Sequence, residues 1–515
     1  MAIVATTVSS SPEYAVGAAG HIVKARGILP LKIDGCANTK PRLLRSAFLL
    51  AFISLTILLE GCSSVVYTDN SSDCNILLNK TADTIHRRDA RDYQLQPIPN
   101  FPHLRWNRFL ASMAPELDTP AKKTAFAEEI KNLTSATWAI ELQNAGNDTN
   151  QAIVNCIKDQ SNDLVAHNIP SYQYPDNYNE LKRVLGFYSL GVHVLRNRIQ
   201  DEQQKSLSTF QTHTFDQYTV YYPNESNRQI LSEQELKQLL ENATANNPLQ
   251  FPRLSAEAQQ RLLAAFAPIW RIEQTTEADQ IAELYWNTEN ELSANTDQPI
   301  QYNHISYTRI GDKKFIQLNY MIFFSRRPAQ QSIDLYAGFL DGLIWRITLD
   351  EAGQPLISDT IHHCGCYHQY FPHQGRLISK DIGYFEEPRF IVPIADFNSH
   401  SKLIIDVSAN EHFVIGVHPQ PENQPALQAK AHYSSKPYDL LRQLPMPRGN
   451  RTAGIFANDG LIPGTDRLER WILWFSGIKS PGAMRQWGNH AIHFVGKGHF
   501  DDARLFERTF TLENK

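Results

Sequence analysis

Hydrophobic residues follow a helical period in the first half of the chain. Between residues 120 and 143, apolar side chains recur every three or four positions, at Phe126, Ile130, Leu133, Ala136 and Ile140. This spacing puts them on one face of an α-helix. Thr119 followed by Pro120 is typical of a helix start, because the hydroxyl caps a free backbone N–H and proline lacks an N–H that would have no partner there. A second stripe predicts a helix that begins near Asn177 and has one apolar face, formed by Leu181, Val184, Leu185, Tyr188, Val192, Leu195 and Ile199.

The period changes from helical to two near residue 300. Apolar residues at 316, 318 and 320 alternate with Gln317 and Asn319, which predicts a half-buried strand. The apolar runs 343–349 and 355–361 flank the turn-forming sequence DEAGQ, so together they predict a β-hairpin. Helices followed by such strands predict an α+β fold, with an N-terminal helical part followed by a mainly antiparallel β-rich part.

The same change of pattern divides the chain into regions. We expect a leader at 1–61 that is removed, a tether at 62–100, a mainly helical region at 101–290 and a β-rich region at 291–515. A boundary near residue 210 accounts for the pattern as well as one near residue 290, and the choice between them stays open.

The amino-terminal region contains a short apolar segment. Residues 47–59, AFLLAFISLTILL, carry no charge and follow Lys40, Arg42 and Arg45. Crossing a bilayer takes about 20 apolar residues in a helix. The run therefore matches the hydrophobic region of a secretory signal better than a membrane span. An uncleaved, slightly short signal anchor is the alternative.

A cysteine motif follows the apolar segment directly. The sequence LEGCSS at 59–64 resembles the lipobox of bacterial lipoproteins. This resemblance implies that the chain is cut after Gly61, that Cys62 receives lipid, and that Ser63 directs the protein to the outer membrane. We therefore expect a protein of the bacterial cell envelope that faces the periplasm and is held at the membrane by acyl chains such as palmitate. Several chains, at about 0.8 kcal/mol per buried methylene, make a firm anchor.

Composition narrows the class of protein further. Of 515 residues, 42% are hydrophobic and 20% are charged, and the formal net charge is −5, values usual for a soluble globular body. No strong basic patch stands out, so we expect no nucleic-acid partner, whereas the identity of a protein or small-molecule partner stays open. Four cysteines remain besides Cys36 and Cys62. In an oxidising envelope, Cys74 with Cys156 is one possible disulfide.

The densest chemical signal is the sequence HHCGCYH at 362–368, directly after the second strand of the predicted hairpin. Imidazole and thiolate groups suit zinc or copper. An extended stretch would place four of these side chains on one face, whereas a turn would scatter them. The candidate metal ligands are His362, His363, Cys364, Cys366 and His368, and such a site would support a metal-dependent hydrolase. Asp359, on the preceding strand, is expected to orient one of these histidines.

Two other interpretations account for the same residues. Cys364 and Cys366 can form a redox dithiol, which would make the chain a thiol redox protein. Alternatively, the cluster is structural, and the chain is a non-catalytic envelope protein that binds a ligand or supports the envelope. The sequence contains neither an HExxH nor a GxSxG motif, so whether the protein is an enzyme stays open.

A second concentration of polar residues lies near the carboxyl end, between residues 485 and 502. His490 and His493 are three residues apart and would share one face of a helix. The second candidate cluster comprises His490, His493, His499 and Asp501. A packed C-terminal helix with polar edges is the alternative interpretation.

Overall fold

The computed structural model describes residues 73–166, 173–224, 231–420 and 431–513, which belong to one compact unit. The predicted signal segment, the predicted lipobox with Cys62 and the first part of the expected tether lie outside these residues. Lipidation and cleavage therefore stay predictions.

All α-helices of the described residues precede the long strands. They are α1 (Asp73–Arg87), α2 (Arg108–Met113), α3 (Pro120–Asn144), α4 (Gln151–Ala166), α5 (Glu180–Leu185), α6 (Tyr188–Thr209), α7 (Glu233–Ala245) and α8 (Ala256–Ala265). Helix α3 begins where the sequence predicts, and the Thr119 hydroxyl accepts a hydrogen bond from the Lys122 amide at 3.2 Å. Helices α1, α3 and α4 pack around a core that includes Trp106, Ile130 and Trp138.

The amino-terminal helices are also joined covalently. Cys74 of α1 and Cys156 of α4 form a disulfide, the pairing that the sequence offered as one possibility. Residues 73–100, expected to belong to the tether, instead contain helix α1 and strand β1 (Gln96–Ile98). Helix α1 is difficult to predict from the sequence because most of its surface is polar. Only Leu78, Thr81 and Ile85 are buried.

The helix expected from Asn177 onwards differs from its prediction. Helix α5 begins at Glu180 with Asn179 as its cap and ends at Leu185. Helix α6 then restarts at Tyr188, because Phe187 adopts a left-handed backbone conformation with φ of 51°. The break turns the first part of the predicted apolar face outwards, so Leu181, Val184 and Leu185 are exposed to solvent.

The remaining strands supply the larger part of the fold. They are β2 (Phe101–Trp106), β3 (Tyr218–Pro223), β4 (Ile269–Glu273), β5 (Ile281–Trp286), β6 (Leu292–Asn295), β7 (Ile300–Ile310), β8 (Lys313–Arg327), β9 (Gly338–Leu349), β10 (Pro355–His362), β11 (Gln369–Pro372), β12 (Leu377–Ser379), β13 (Phe390–Ile391), β14 (Leu403–Val407), β15 (Val414–Pro419), β16 (Ala431–Pro437), β17 (Leu444–Pro445), β18 (Thr452–Ala453) and β19 (Phe510–Leu512). The predicted hairpin is confirmed as β9 and β10, which pair antiparallel.

Thirteen of these strands form one sheet. Its order is β13-β11-β10-β9-β8-β7-β16-β3-β4-β14-β15, and β5 joins β6 to β8 beside this path. The α+β class is therefore correct, and the helical part does precede the β-rich part. The expectation of a mainly antiparallel sheet is wrong, because β16 runs parallel to both β7 and β3, β4 runs parallel to β14, and β11 runs parallel to β13.

Strand β8 is buried on both faces, so the prediction of a half-buried strand is also wrong. One face, with Leu318 and Tyr320, packs in a core shared with helices α7 and α8. The opposite face carries Gln317 and Asn319, which are buried although polar. The carboxyl-terminal segment 438–505 covers its apolar end. Both side-chain amides are hydrogen-bonded across strands, since Gln317 Nε2 donates to Thr348 Oγ1 at 3.2 Å and Asn319 Nδ2 donates to Ser306 Oγ at 3.0 Å. Asn319 Oδ1 is buried without a hydrogen-bond partner among the described residues.

Candidate functional site

The HHCGCYH sequence forms the tight turn that connects β10 to β11. The His362 amide donates to the Cys366 carbonyl at 3.0 Å, and the Gly365 amide donates to the His362 carbonyl at 2.8 Å. Gly365 has φ of +88°, and a Cβ added there would lie 2.5 Å from the Ala491 carbonyl oxygen. The chain therefore reverses at a position that requires glycine, and the soft side chains leave the turn in different directions.

His362 joins a buried row of carboxylates and imidazoles. Its Nδ1 lies 3.5 Å from Asp341 Oδ1, and the other oxygen of Asp341 lies 2.9 Å from Nδ1 of His412. Nε2 of His412 lies 3.4 Å from Asp279 Oδ1. The row combines strand ends with the turn between β14 and β15, so it brings together residues far apart in the sequence. No local sequence pattern indicates that His412 or Asp279 lies here.

The charges within this row compensate one another. Burial acts to lower the pKa of His412, but hydrogen bonds to Asp279 and Asp341 outweigh it and raise that pKa. Burial acts to raise the pKa of Asp341, yet the histidine partners His362 and His412 hold it well below its ordinary value. Burial lowers the pKa of His362 despite the neighbouring Asp341 carboxylate. The network thus stabilises an ionised carboxylate inside the protein.

His363 points to the other face of the sheet. Its ring stacks on Phe323 at a centroid distance of 4.0 Å and lies 6.4 Å from the ring of His490. Burial lowers the pKa of His363 to about 3 and holds that of His490 well below its ordinary value. Both imidazoles are therefore neutral packing groups at pH 7.

His368 is held by Asp359, as the sequence predicts for one histidine of the cluster. Its Nε2 lies 2.8 Å from Asp359 Oδ2, while Arg346 donates to both oxygens of that carboxylate at 2.8 and 2.6 Å. Arg346 in turn lies over the ring of Phe500 at 3.6 Å. The arrangement is a buried ion pair with a histidine attached to it, and its charges are balanced internally.

Cys364 and Cys366 are free, buried thiols. The Cys366 amide donates to the Cys364 sulfur at 3.4 Å, and Arg485 Nε donates to the Cys364 carbonyl at 2.9 Å. The hydrogen bond with Cys364 and burial raise the pKa of Cys366 well above its ordinary value. Reactive thiols have a lowered pKa, so this geometry lends no support to the redox alternative, which stays a prediction.

The second candidate cluster packs directly against the first, but it is a loop and not a helix. His499 Nε2 accepts a hydrogen bond from the Asn177 amide at 3.1 Å. Asp501 pairs with Arg108 through both carboxylate oxygens at 3.0 and 2.9 Å. Burial lowers the pKa of His493 to about 3. The two concentrations therefore meet in space, while their side chains are engaged by separate partners.

The predicted ligands do not converge on one point. Among the described residues, no three histidine, cysteine, aspartate or glutamate side chains are placed to hold one metal ion. The binding of zinc or copper stays a prediction from the sequence.

Open space occurs elsewhere on the molecule. One cavity of about 300 Å³ lies between the end of α1 and the segment 442–456, and five arginines contribute to its wall: Arg88, Arg91, Arg442, Arg448 and Arg451. A second cavity of about 580 Å³ lies beside Trp471 and Trp474. No residue of the HHCGCYH turn lines either cavity. The arginine cavity could not be predicted from the sequence, because its two arginine groups are separated by some 350 residues and neither forms a basic run.

The floor of the arginine cavity contains a buried ion pair whose charges balance. Asp92 accepts two hydrogen bonds from Arg442, both at 3.0 Å, and a third from Gln486 Nε2 at 2.7 Å. Arg442 also pairs with Asp439 at 2.9 Å. By contrast, no carboxylate of the described residues lies within ion-pair distance of Arg88, Arg91, Arg448 or Arg451. Nε of Arg91 is buried without a hydrogen-bond partner there.

Comparison with known proteins adds no family to this picture. No protein-family model matches the chain, and searches of curated proteins and of solved structures give no significant match. In the part of the chain that the structure describes, none of the helices combines the length and the apolar character needed to cross a bilayer.

Proposed function

We propose that this protein is a lipid-anchored protein of the bacterial envelope that binds a multiply charged anion and performs no chemistry on it. The observation that carries the proposal is the arginine cavity, where Arg88, Arg91, Arg448 and Arg451 have no carboxylate partner among the described residues. The lipobox resemblance at Cys62 supports the anchor. The non-catalytic interpretation is supported by the burial of the histidine and cysteine cluster, whose side chains pack against other residues of the protein.

The charge of the cavity selects the class of ligand. The Asp92 carboxylate is already saturated by Arg442 and Gln486, so only Asp89 among the lining acids remains to offset the other arginines. Guanidinium groups bind carboxylates and phosphates through paired N–H donors. A cavity of about 300 Å³ accommodates a small molecule. The ligand is therefore a small molecule with two or more negative charges, carried on carboxylate or phosphate groups.

The buried row at Asp341 is less suited to bind a ligand. Its members are fully enclosed and already paired with one another. A ligand would have to displace Asp341 from His362 and His412 before it reached either imidazole, which would leave a buried charge unpaired at a cost of several kcal/mol.

Titration calorimetry on the full chain in detergent tests the proposal. We expect citrate, inorganic phosphate or both to bind with a dissociation constant of about 1 mM or tighter at low salt, and glycerol not to bind. Comparing citrate with phosphate distinguishes a carboxylate ligand from a phosphate ligand. Salt should weaken binding, because the arginines at the mouth are exposed.

The Arg448→Ser/Arg451→Ser variant should weaken binding at least tenfold, because each lost arginine removes charge-assisted hydrogen bonds. Arg326→Ser is the matched control, since Arg326 is an exposed arginine on β8 outside the cavity. Absence of binding by both anions, or equal weakening in the control variant, would refute the proposal.

A further inference from the structure

A large apolar surface is left uncovered on helices α5 and α6 and on the segments beside them. We call it the aromatic face; its exposed members are Leu181, Val184, Leu185, Phe187, Leu190, Val194, Tyr384, Phe385, Leu468, Trp471, Ile472 and Trp474. Val184 is 73% exposed, Leu190 72% and Trp471 68%. Soluble monomers rarely expose so many large apolar side chains together, and such patches mark interaction sites.

The aromatic face is continuous and not scattered. Phe475, which follows Trp474, packs so closely against Gly186 and Gly191 that a Cβ at either glycine would lie within 3 Å of it. On the other side of α6, the Tyr384 hydroxyl is hydrogen-bonded to Nδ1 of His193 at 3.2 Å. These contacts place all three chain segments side by side.

The aromatic face is also fixed to the body. Arg183 of α5 is buried, and it donates to the carbonyls of Ser476 at 2.7 Å and Gly496 at 2.6 Å. Its guanidinium lies 4.6 Å from the ring of Tyr178 and 4.4 Å from that of Tyr188. Helix α5 therefore cannot fold its apolar side chains inwards without breaking a buried arginine network.

We propose that the aromatic face docks on a lipid bilayer and inserts its apolar side chains at the level of the headgroups. Tryptophan and tyrosine are the residues enriched at that level, because they combine an apolar ring with a polar N–H or O–H. The cavity beside Trp471 and Trp474 is rimmed by Lys182, Arg470 and Lys479, which provides cations at the depth of lipid phosphates.

The bilayer is favoured over other occupants by the position of the predicted anchor. Asp73, where the described body begins, lies only eleven positions after Cys62. An extended chain of that length reaches about 40 Å at most. This step rests on the proposed lipid anchor, which keeps the body within reach of the membrane and makes docking effectively intramolecular.

The charges around the face determine the form of binding. Arg470 pairs with Asp466, and Lys479 pairs with Asp459 at 2.9 Å, so Lys182 alone of the three cations has no carboxylate partner among the described residues. Docking should therefore depend on apolar insertion more than on anionic lipid. Vesicles of neutral phosphatidylcholine should bind the face nearly as well as mixtures with phosphatidylglycerol.

Fluorescence quenching on the full chain, reconstituted in phosphatidylcholine vesicles with brominated acyl chains, tests the proposal. The chain contains eight tryptophans. We expect bromolipid to quench part of the wild-type emission and the Trp471→Phe/Trp474→Phe variant to lose most of that quenching. Trp286→Phe is the matched control, because the Trp286 indole is engaged with the Ala453 carbonyl away from the face; it should keep the quenching. Circular dichroism confirms that each variant is folded.

Two results would overturn the proposal. One is equal quenching of the wild-type and Trp471→Phe/Trp474→Phe chains on vesicles that hold both. The other is a wild-type dimer in sedimentation experiments that Leu190→Ser converts to a monomer, since the face would then join two copies of the chain. Neither result concerns anion binding, and the mass of the mature amino terminus tests the anchor independently.

Discussion

At the scale of single residues, Asp341 determines how the buried row behaves. It is the carboxylate that both His362 and His412 share. Asp341→Asn would leave the imidazoles without their charged partner inside the protein. Removing one member of a buried ion pair costs about 3 to 5 kcal/mol, so we expect the free energy of unfolding at pH 7 to fall by about 3 kcal/mol or more. Urea denaturation measures this loss.

A charge-matched control is available for this substitution. Asp312→Asn changes an exposed aspartate in the turn between β7 and β8, and we expect an effect of at most about 0.5 kcal/mol. The pKa of His412, followed by NMR, should also fall in Asp341→Asn, since a hydrogen bond that raises it is weakened. An unchanged free energy of unfolding would show that the row does not stabilise the fold.

Residue types alone could not predict the fate of the histidine and cysteine cluster. The sequence correctly places it after the hairpin and correctly joins Asp359 to one of its histidines. The turn at Gly365 decides the rest, because it sends His362 towards Asp341 and His363 towards Phe323. Partners such as His412 come from strands distant in sequence, and no local pattern indicates them.

At the scale of elements, the disulfide between α1 and α4 stabilises the amino-terminal helices. It closes a loop with a sequence separation of 82 residues. The chain-entropy model assigns such a loop about 4.5 kcal/mol. We expect Cys74→Ala/Cys156→Ala to lose about that much unfolding free energy in urea, and the wild type to lose a similar amount in reductant.

The two free thiols provide the control for this experiment. Cys364→Ala/Cys366→Ala likewise removes two sulfur atoms, in this case from buried free thiols, but it opens no loop. Reductant should not change the free energy of unfolding of Cys364→Ala/Cys366→Ala by more than it changes that of the wild type. Cys74→Ala/Cys156→Ala has no disulfide to reduce, so its free energy of unfolding should be the same with and without reductant. A wild-type midpoint that does not respond to reductant would contradict a stabilising role for the bridge.

Elements with a clear hydrophobic period and a local signal for a helix start or a turn could be predicted from the sequence. Helix α3 has Thr119 and Pro120 at its start, and the β9–β10 hairpin has a turn sequence between two apolar runs. The break between α5 and α6 could not be predicted, because it depends on the left-handed conformation of Phe187 and on Phe475 packing against Gly186. The burial of Gln317 could not be predicted either, because a polar residue in a period of two indicates a solvent-facing position, whereas its amide is hydrogen-bonded to Ser306 and Thr348 on the neighbouring strands.

At the scale of the whole molecule, the carboxyl-terminal segment determines which functions are possible. It covers one face of the sheet and seals the predicted metal ligands beneath His490 and Phe500. The same segment supplies Arg448 and Arg451 to the arginine cavity and Trp471 to the aromatic face. The packing of this one segment therefore buries the predicted metal ligands and also forms part of the arginine cavity and of the aromatic face.

Buried neutral histidines make the whole molecule sensitive to acid. Burial lowers the pKa of His103 and His304 to about 4, and that of His363, His373 and His493 to about 3. In the unfolded chain these groups titrate near pH 6.5. Between these values the unfolded state binds more protons than the folded state. The contribution of these histidines to stability is therefore complete above pH 6.5 and is lost as the pH falls.

Two buried carboxyl groups act in the opposite direction. Burial raises the pKa of Glu387 to about 8 and that of Glu469 to about 7. The folded state therefore keeps protons that the unfolded state loses above about pH 4.5, and stability falls as the pH rises through that range. Below pH 6.5 the effect of the five histidines on stability is larger than that of the two carboxyls. Above pH 7 the histidines are neutral in both states, and the deprotonation of Glu387 dominates the change in stability. Together they predict a stability maximum between about pH 6.5 and 7.

The size of the acid effect follows from the number of protons. Near pH 5.5, the five histidines and two carboxyls together bind about three more protons in the unfolded state than in the folded state. This difference corresponds to a change in unfolding free energy of about 4 kcal/mol per pH unit. Urea midpoints measured at pH 7, 6 and 5 should fall steeply. His363→Phe keeps a ring against Phe323 but cannot titrate, so it should reduce the slope by about 1 kcal/mol per pH unit. Stability that is constant or rising from pH 7 to pH 5 would mean that these histidines can ionise within the folded protein.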